Sequence, residues 1–182
     1  MKLMIASDVH GSAYYCRKML ERYQEEKAEK ILLLGDLLYH GPRNELPREY
    51  APKEVIFMLN EVREELLCVR GNCDAEVDQM VLKFPILSDS LILYLDSRMV
   101  FATHGHVYHG ENLPPLRKGD ILLHGHTHIQ AMENRGDYFY LNPGSVSIPK
   151  NGNENSYMVY EDGIFIIKDM EGRKIRDFVM DL

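Results

Sequence analysis

Cysteine is scarce in this chain: Cys16, Cys68 and Cys73 are the only three among 182 residues, and no two form a C-x-x-C pair. An odd, scattered set excludes a disulfide framework and reads as reduced thiols, so a cytoplasmic location is expected. No stretch approaches the ~18 uninterrupted apolar residues that a membrane span needs. The chain reaches Ser7-Asp8 straight after Met1-Lys2-Leu3-Met4-Ile5-Ala6, too early for the apolar region of a secretory signal. Positive charge is in deficit, with 21 Lys and Arg against 28 Asp and Glu and a formal net charge of −7 with His neutral. That deficit argues against a partner of long nucleic acid or an anionic membrane. No basic stripe with interleaved aromatics offsets it. Linkers, repeats and low-complexity tracts are also missing, so one domain spanning residues 1–182 is expected.

What is present is an ordinary globular balance, 45% hydrophobic and 27% charged, enough to build a packed core. Lys2 to Ser7 and Ile31 to Leu34 are continuous apolar runs ending at polar residues, the pattern of strands buried on both faces. Between them, Cys16, Met19, Leu20 and Tyr23 recur at helical spacing over Ser12 to Lys27. This β-α-β order implies parallel strands. Leu38 to Pro52 holds three prolines and Gly41 and reads as a long irregular loop. Lys53 to Glu65 reads as a helix and Leu66 to Arg70 as a third strand. Beyond residue 86 hairpins dominate: Leu91–Leu95 with Met99–Thr103, then Gln130–Asn134 with Tyr138–Leu141, with Ile121–His124 as a strand between them. Asp162-Gly163 and Glu171-Gly172 mark two more hairpins. The expected architecture is an α/β layered sandwich, parallel in its first half and mostly antiparallel in its second, with helices outside and sheets inside.

Five short motifs fall where this pattern puts strand ends: Asp8-x-His10, Gly35-Asp36, Gly71-Asn72, His104-Gly105 and Gly125-His126-Thr127-His128. Carboxyl ends of strands are where loops of an open α/β sheet converge on a ligand. Singly, a His or Asp at such a place is more often a cap or a satisfied polar group than a ligand. Five at matching positions reverse that balance. Carboxylate, amide and imidazole donors without thiolate suit a borderline-hard divalent ion. Seven donors exceed one tetrahedral site and suit two ions sharing a carboxylate, a clamp for in-line phosphoryl transfer.

Together with Gly41-Pro42-Arg43-Asn44, Arg70-Gly71-Asn72-Cys73-Asp74, Thr103-His104-Gly105-His106 and Asn142-Pro143-Gly144-Ser145, these motifs resemble the calcineurin-like metallophosphoesterase superfamily. The likeness runs nearly end to end with its small bacterial branch, the YfcE-type phosphodiesterases. The resemblance implies a four-layer αββα sandwich. It implies one metal bound by Asp8, His10 and His128, another by Asn72, His104 and His126, and Asp36 as the bridge. A metal-bridging hydroxide would then attack a small phosphodiester in line. The two ions are expected to be Mn²⁺, with Zn²⁺, Fe²⁺, Co²⁺ or Ni²⁺ as alternatives. Asn72, Cys73 and His104 are the catalytic candidates, and a homo-oligomer, dimer or tetramer, is expected.

Many superfamily members carry a His directly after the Gly-Asn motif to protonate the leaving oxygen; here Cys73 stands there. A neutral thiol is a poor proton donor near neutral pH, so aryl diesters are expected to react in preference to alkyl monoesters. Arg43 in the proline-rich loop suits phosphate recognition, although it and His40 suit a loop-ordering role equally well. His106 and His109 are replacement proton donors or simply exposed neighbours. His124 reads as structural and Asn142 as a partner of a ligand. The same fold also serves as a non-catalytic trafficking scaffold of the retromer type, but the filled set of seven donors favours an enzyme. A nuclease like the larger DNA-repair relatives is disfavoured by the short, acidic chain.

Overall fold

Apolar runs without polar alternation demand cover on both faces, and the first two strands receive it. In the computed structural model, which describes residues 1–179, β1 (Lys2–Ala6) pairs in parallel with β2 (Lys30–Leu33). Strand β3 (Leu66–Cys68) continues the parallel set beside β2. Met4, Ala6, Ile31 and Leu33 face one apolar cluster, shared with helices α1 (Ala13–Glu26) and α2 (Pro52–Glu61). Leu3, Ile5, Leu32 and Leu34 face a second cluster, between two sheets.

Helix α1 starts at Ser12, whose hydroxyl accepts the Tyr15 N–H, and stops at Lys27, which turns left-handed at φ 53°. The helix expected over Lys53 to Glu65 begins with Pro52 in its first turn but ends at Glu61. A 3₁₀ turn over Arg63–Glu65 follows, tightening the chain so that Leu66 enters β3 directly.

The antiparallel second half divides between the sheets. β4 (Ser90–Leu95), β5 (Arg98–Thr103), β6 (Asp120–Leu123), β7 (Gln130–Asn134) and β8 (Tyr138–Pro143) form a sheet of order β4-β5-β6-β8-β7, with β5, β6 and β8 parallel. β9 (Ser156–Glu161), β10 (Ile164–Asp169) and β11 (Lys174–Val179) instead join the first sheet, in the order β11-β10-β9-β1-β2-β3. The expected hairpins at Asp162-Gly163 and Glu171-Gly172 are the β9–β10 and β10–β11 turns. Helices α1 and α2 cover the outer face of the first sheet. On the second sheet's outer face, Phe101, Leu122 and Tyr138 are covered by Tyr108 and Leu116 from the segment 104–119, in which no helix forms.

Where α1 meets the first sheet, Glu26 is nearly buried and takes Lys2 Nζ at 3.0 Å, Lys168 Nζ at 2.5 Å and the Tyr157 hydroxyl at 2.8 Å. Burial alone would raise the Glu26 carboxyl, but hydrogen bonds from Lys168, Lys2 and Tyr157 hold it below its ordinary 4.5. Because the unfolded chain takes up that proton first, the stability Glu26 contributes is full above about pH 4.5 and is lost as pH falls through the folded value. Glu26→Gln is therefore expected to be less stable than wild type at neutral pH, with the gap closing in acid. Urea unfolding at about pH 7 and about pH 3 measures this, and a gap independent of pH rejects it.

Candidate metal centre

Five parallel strands of the two sheets deliver the donor residues from their carboxyl ends. Asp8 and His10 follow β1, Asp36 follows β2 and Asn72 follows β3; His104 follows β5, and His126 and His128 follow β6. Backbone bonds lock these loops together. Asp8 N–H donates to the Gly35 carbonyl at 3.1 Å, His10 N–H to the Asp36 carbonyl at 2.9 Å, and Gly125 N–H to the His104 carbonyl at 2.9 Å.

The loops hold a strained backbone. Asp8, His10, Asp36, His126 and His128 all adopt positive φ, between 49° and 64°. Each such residue costs roughly 1 kcal/mol or more, and the conformation persists only where the surroundings over-determine it. Two glycines allow the crowding. A Cβ on Gly125 would lie 2.8 Å from Asp8 Oδ2 and closer still to the Ser7 hydroxyl, and a Cβ on Gly71 would run into the Asp36 carboxylate.

Each carboxylate has one oxygen restrained and one left free. Asp8 Oδ2 accepts from the Ser7 hydroxyl at 2.6 Å and from His126 N–H at 3.1 Å. Asp8 Oδ1 is fully buried and has no hydrogen-bond partner. Asp36 Oδ1 accepts Cys73 N–H at 2.8 Å, while its Oδ2 lies 3.6 Å from His10 Nε2 and 3.4 Å from His104 Nε2.

The imidazoles face inward with lone pairs. Nδ1 of His10, His104 and His128 lies 2.7, 2.6 and 2.7 Å from the carbonyls of Tyr39, Leu34 and Ile148. A carbonyl only accepts, so each Nδ1 carries a proton, and whenever a ring is neutral its Nε2 is the bare nitrogen. His10 and His128 bring their Nε2 atoms to 3.3 Å of each other, and to 3.5 and 3.2 Å of the unpartnered Asp8 Oδ1. His104 Nε2 similarly lies 3.0 Å from Asn72 Oδ1 and 3.2 Å from His126 Nδ1. Acceptors facing acceptors in a buried pocket repel unless a proton or a cation sits between them. The donor set therefore fits divalent metal. Asp8, His10 and His128 can converge on one ion, Asp8, Asp36 and His104 are similarly close, and Cys73 stands as near to His10 and Asp36.

Protons compete for the same positions. Burial would lower His104, but Asp36 and Asp8 outweigh it and push it up to about 9. Burial likewise opposes, and Asp8 and Asp36 favour, the proton on His10, which is raised. His126 goes the other way, to about 4, through burial and the charge of His104. Burial would raise the Asp8 carboxyl, yet the neighbouring imidazoles of His10 and His128 hold it well below the usual carboxylate range. Burial and the Asp36 carboxylate push the Cys73 thiol up to about 12, so it stays protonated.

The remaining sequence candidates separate cleanly. Arg43, Asn44 and Cys73 line a cavity of about 480 Å³ together with His10, Asp36, Asn72, His126 and His128. His40 does not; its ring packs between Tyr39 and Tyr50. His106 lies beside His104, ring centroids 5.4 Å apart, and shares an adjoining cavity with His109. His124 is fully buried against Tyr140, as expected of a structural residue. Asn142 Nδ2 donates to the Gly125 carbonyl at 2.8 Å and to Thr127 Oγ1 at 3.0 Å, holding the loop that carries His126 and His128.

Sequence reasoning missed the supporting acceptors and donors. Buried Asp74 accepts the N–H groups of Asp36, Leu37 and Gly71 at 2.8 to 2.9 Å, and the hydroxyls of Ser145 and Ser147 both donate to the Asp8 carbonyl at 2.9 Å. Asp74 and Ser145 lay within motifs already singled out, which was the available signal.

A model of the calcineurin-like phosphoesterase superfamily domain matches residues 1–162. The chain belongs to that superfamily. Within the superfamily it is 47% identical over 175 residues to phosphodiesterase YfcE of Escherichia coli, covering 96% of this chain and 95% of that protein. The structure of Yfce, a phosphoesterase from E. coli, matches with a TM-score of 0.96 at 45% identity, over 100% of both chains. Wild-type Vps29 from Entamoeba histolytica, complexed with Zn²⁺, matches with a TM-score of 0.59 at 16% identity over 100% of both chains, a likeness of fold.

Asp74→Asn tests the support of the calcineurin-like centre. The amide would turn a donor toward backbone N–H groups, so a loss of about 1–3 kcal/mol is expected. Metal affinity should fall by roughly 10–100-fold as Asp36 and Asn72 shift. Thermal unfolding and Mn²⁺ titration calorimetry read the two effects; unchanged affinity would show that Asp74 does not position the donors.

Proposed function

We infer that this chain is a dinuclear metal-dependent phosphodiesterase that hydrolyses small phosphodiesters. The observation that carries this reading is Asp36 Oδ2, which stands between His10 Nε2 at 3.6 Å and His104 Nε2 at 3.4 Å. Asp8, His10 and His128 would hold one ion and Asn72, His104 and His126 the other, with Asp36 available to both. Mn²⁺ is the expected metal, with Zn²⁺, Fe²⁺, Co²⁺ or Ni²⁺ as alternatives, since oxygen and imidazole donors without thiolate suit a borderline-hard divalent ion. Two bound divalent ions would supply Lewis acidity at phosphorus and activate water for in-line attack.

The chain's own residues set what that chemistry can act on. His10, His104 and His128 are fixed in the ligating tautomer by the carbonyls behind them. Cys73 hands its N–H to Asp36 and leaves a protonated thiol beside the reacting centre. Such a thiol protonates a departing oxygen poorly, so substrates with stable leaving groups are favoured. Similarity to a protein named phosphodiesterase supports the diester preference. The Vps29-like fold also admits a non-catalytic scaffold, against which the complete donor set weighs. A cytoplasmic homo-oligomer, dimer or tetramer, is part of the same reading, and the buried free thiols of Cys16 and Cys68 agree with a reducing compartment.

With Mn²⁺ added, bis(p-nitrophenyl) phosphate is expected to be hydrolysed faster than p-nitrophenyl phosphate, and chelation should abolish both. Faster monoester hydrolysis would sink the diester assignment, and Mn²⁺ uptake without turnover would favour the scaffold. Cys73→His should raise monoester turnover by about tenfold or more, since a positioned general acid typically contributes at least that much. No gain in p-nitrophenyl-free alkyl monoesters, followed by phosphate release, would show that Cys73 does not limit the leaving-group step.

A further inference from the structure

The cavity over the donor residues is uneven in charge. Besides those donors its lining includes Arg43 and Lys150, and Asp36 is the one carboxylate among the described lining residues. Both cationic side chains are exposed, and no described carboxylate pairs with either. Both ride on segments that orient metal-site histidines. Lys150 N–H donates to the His128 carbonyl at 3.1 Å, and the Ile148 carbonyl accepts from His128 Nδ1 at 2.7 Å. Arg43 sits in the turn Gly41–Asn44, which is closed by Asn44 N–H to the Gly41 carbonyl at 3.3 Å and by Asn44 Nδ2 to the His40 carbonyl at 2.8 Å. The Tyr39 carbonyl just before that turn accepts from His10 Nδ1 at 2.7 Å. The two cations are thus indexed to the His10 and His128 end of the centre.

The other end differs. Past His126 and Thr127 lies a cavity of about 460 Å³ lined by His106, His109 and Tyr140. Its cation, Arg135, is already paired with Glu133 at 2.9 Å and stacked 3.7 Å over Tyr140. On the cationic side, Asn44 and Lys150 also line a further cavity of about 400 Å³, so a substrate arm has room to continue there.

We propose that Arg43 and Lys150 form a subsite for a second phosphate, so that the preferred diester carries a further phosphate on one of its ester arms. This rests on the phosphodiesterase reading. The guanidinium fork matches phosphate oxygens in pairs, and the ammonium adds a point charge. An acidic protein of net charge −7 gains from local cations, because they concentrate an anionic substrate at the cleft.

The test compares a p-nitrophenyl phosphodiester whose second arm is a glycol with the same compound phosphorylated at the free hydroxyl. The Mn²⁺-loaded wild type is expected to show a KM roughly ten- to a hundredfold lower for the phosphorylated arm, the range of a lost charged hydrogen bond. Added salt should narrow that gap. The Arg43→Gln, Lys150→Gln double variant should bring the two KM values together. Equal KM values in the wild type, or a gap that survives in the variant, would overturn the subsite. If the wild type hydrolyses neither compound nor bis(p-nitrophenyl) phosphate, the phosphodiesterase reading has failed instead. Calorimetric titration of the Mn²⁺-loaded proteins with the phosphorylated glycol alone then decides the subsite. Binding lost in the double variant upholds it; absent binding, or binding equal in both proteins, overturns it.

Discussion

Three imidazoles in this protein are held by one device, a Nδ1–H donated to a backbone carbonyl on a neighbouring loop. His10 leans on Tyr39, His104 on Leu34 and His128 on Ile148, all at 2.6 to 2.7 Å. The bond sets the tautomer, turns each Nε2 lone pair inward and stops the ring from rotating. With the unpartnered Asp8 Oδ1 and with Asp36 Oδ2 beside them, these atoms make a buried pocket of acceptors. Such a pocket is unfavourable until positive charge enters it. Protons partly answer that need, as the raised His10 and His104 indicate. A metal ion would displace those protons, so binding and pH are linked by the same geometry.

The fold exists around that constraint. Five parallel strands, three in one sheet and two in the other, end at a common edge, so that short loops reach one point from two directions. Positive φ at Asp8, His10, Asp36, His126 and His128 concentrates backbone strain in those loops. The sheets supply the opposing stability, since Leu3, Ile5, Leu32 and Leu34 pack between them while Met4, Ala6, Ile31 and Leu33 pack under the helices. Asp74 and the serines at 145 and 147 convert that rigidity into position by gripping the backbone of Asp36, Gly71 and Asp8.

Much of this was legible in the chain because it depends on local pattern. The apolar runs at Ile31–Leu34 and before Asp8, and the 3.6-residue spacing from Cys16 to Tyr23, read as the strands and helix that form. The turn pairs Asp162-Gly163 and Glu171-Gly172 marked real hairpins. Other features were not legible because they depend on who the neighbour is. The early end of α2 at Glu61 answers to the sheet that receives Leu66. The loop cover over Phe101 and Leu122, in place of helices, follows from Tyr108 and Leu116 folding back. The roles of Tyr39, Leu34 and Ile148 rest on carbonyls, which every residue type carries, so no side-chain signal could have revealed them.

Residue type and spacing alone thus determined which side chains can offer donors to a metal and that the strands end in polar residues, while the resemblance to the superfamily implied that Cys73 stands in place of an imidazole. Those properties are covalent or strictly local. Tertiary structure decided how the donors are arranged. It set Asp36 Oδ2 between His10 and His104, left Asp8 Oδ1 without a partner, and brought Lys150 into one cavity with Arg43. Distances between residues more than a hundred positions apart are fixed only when two sheets pack, because only packing across the second core brings their strand ends to the same edge.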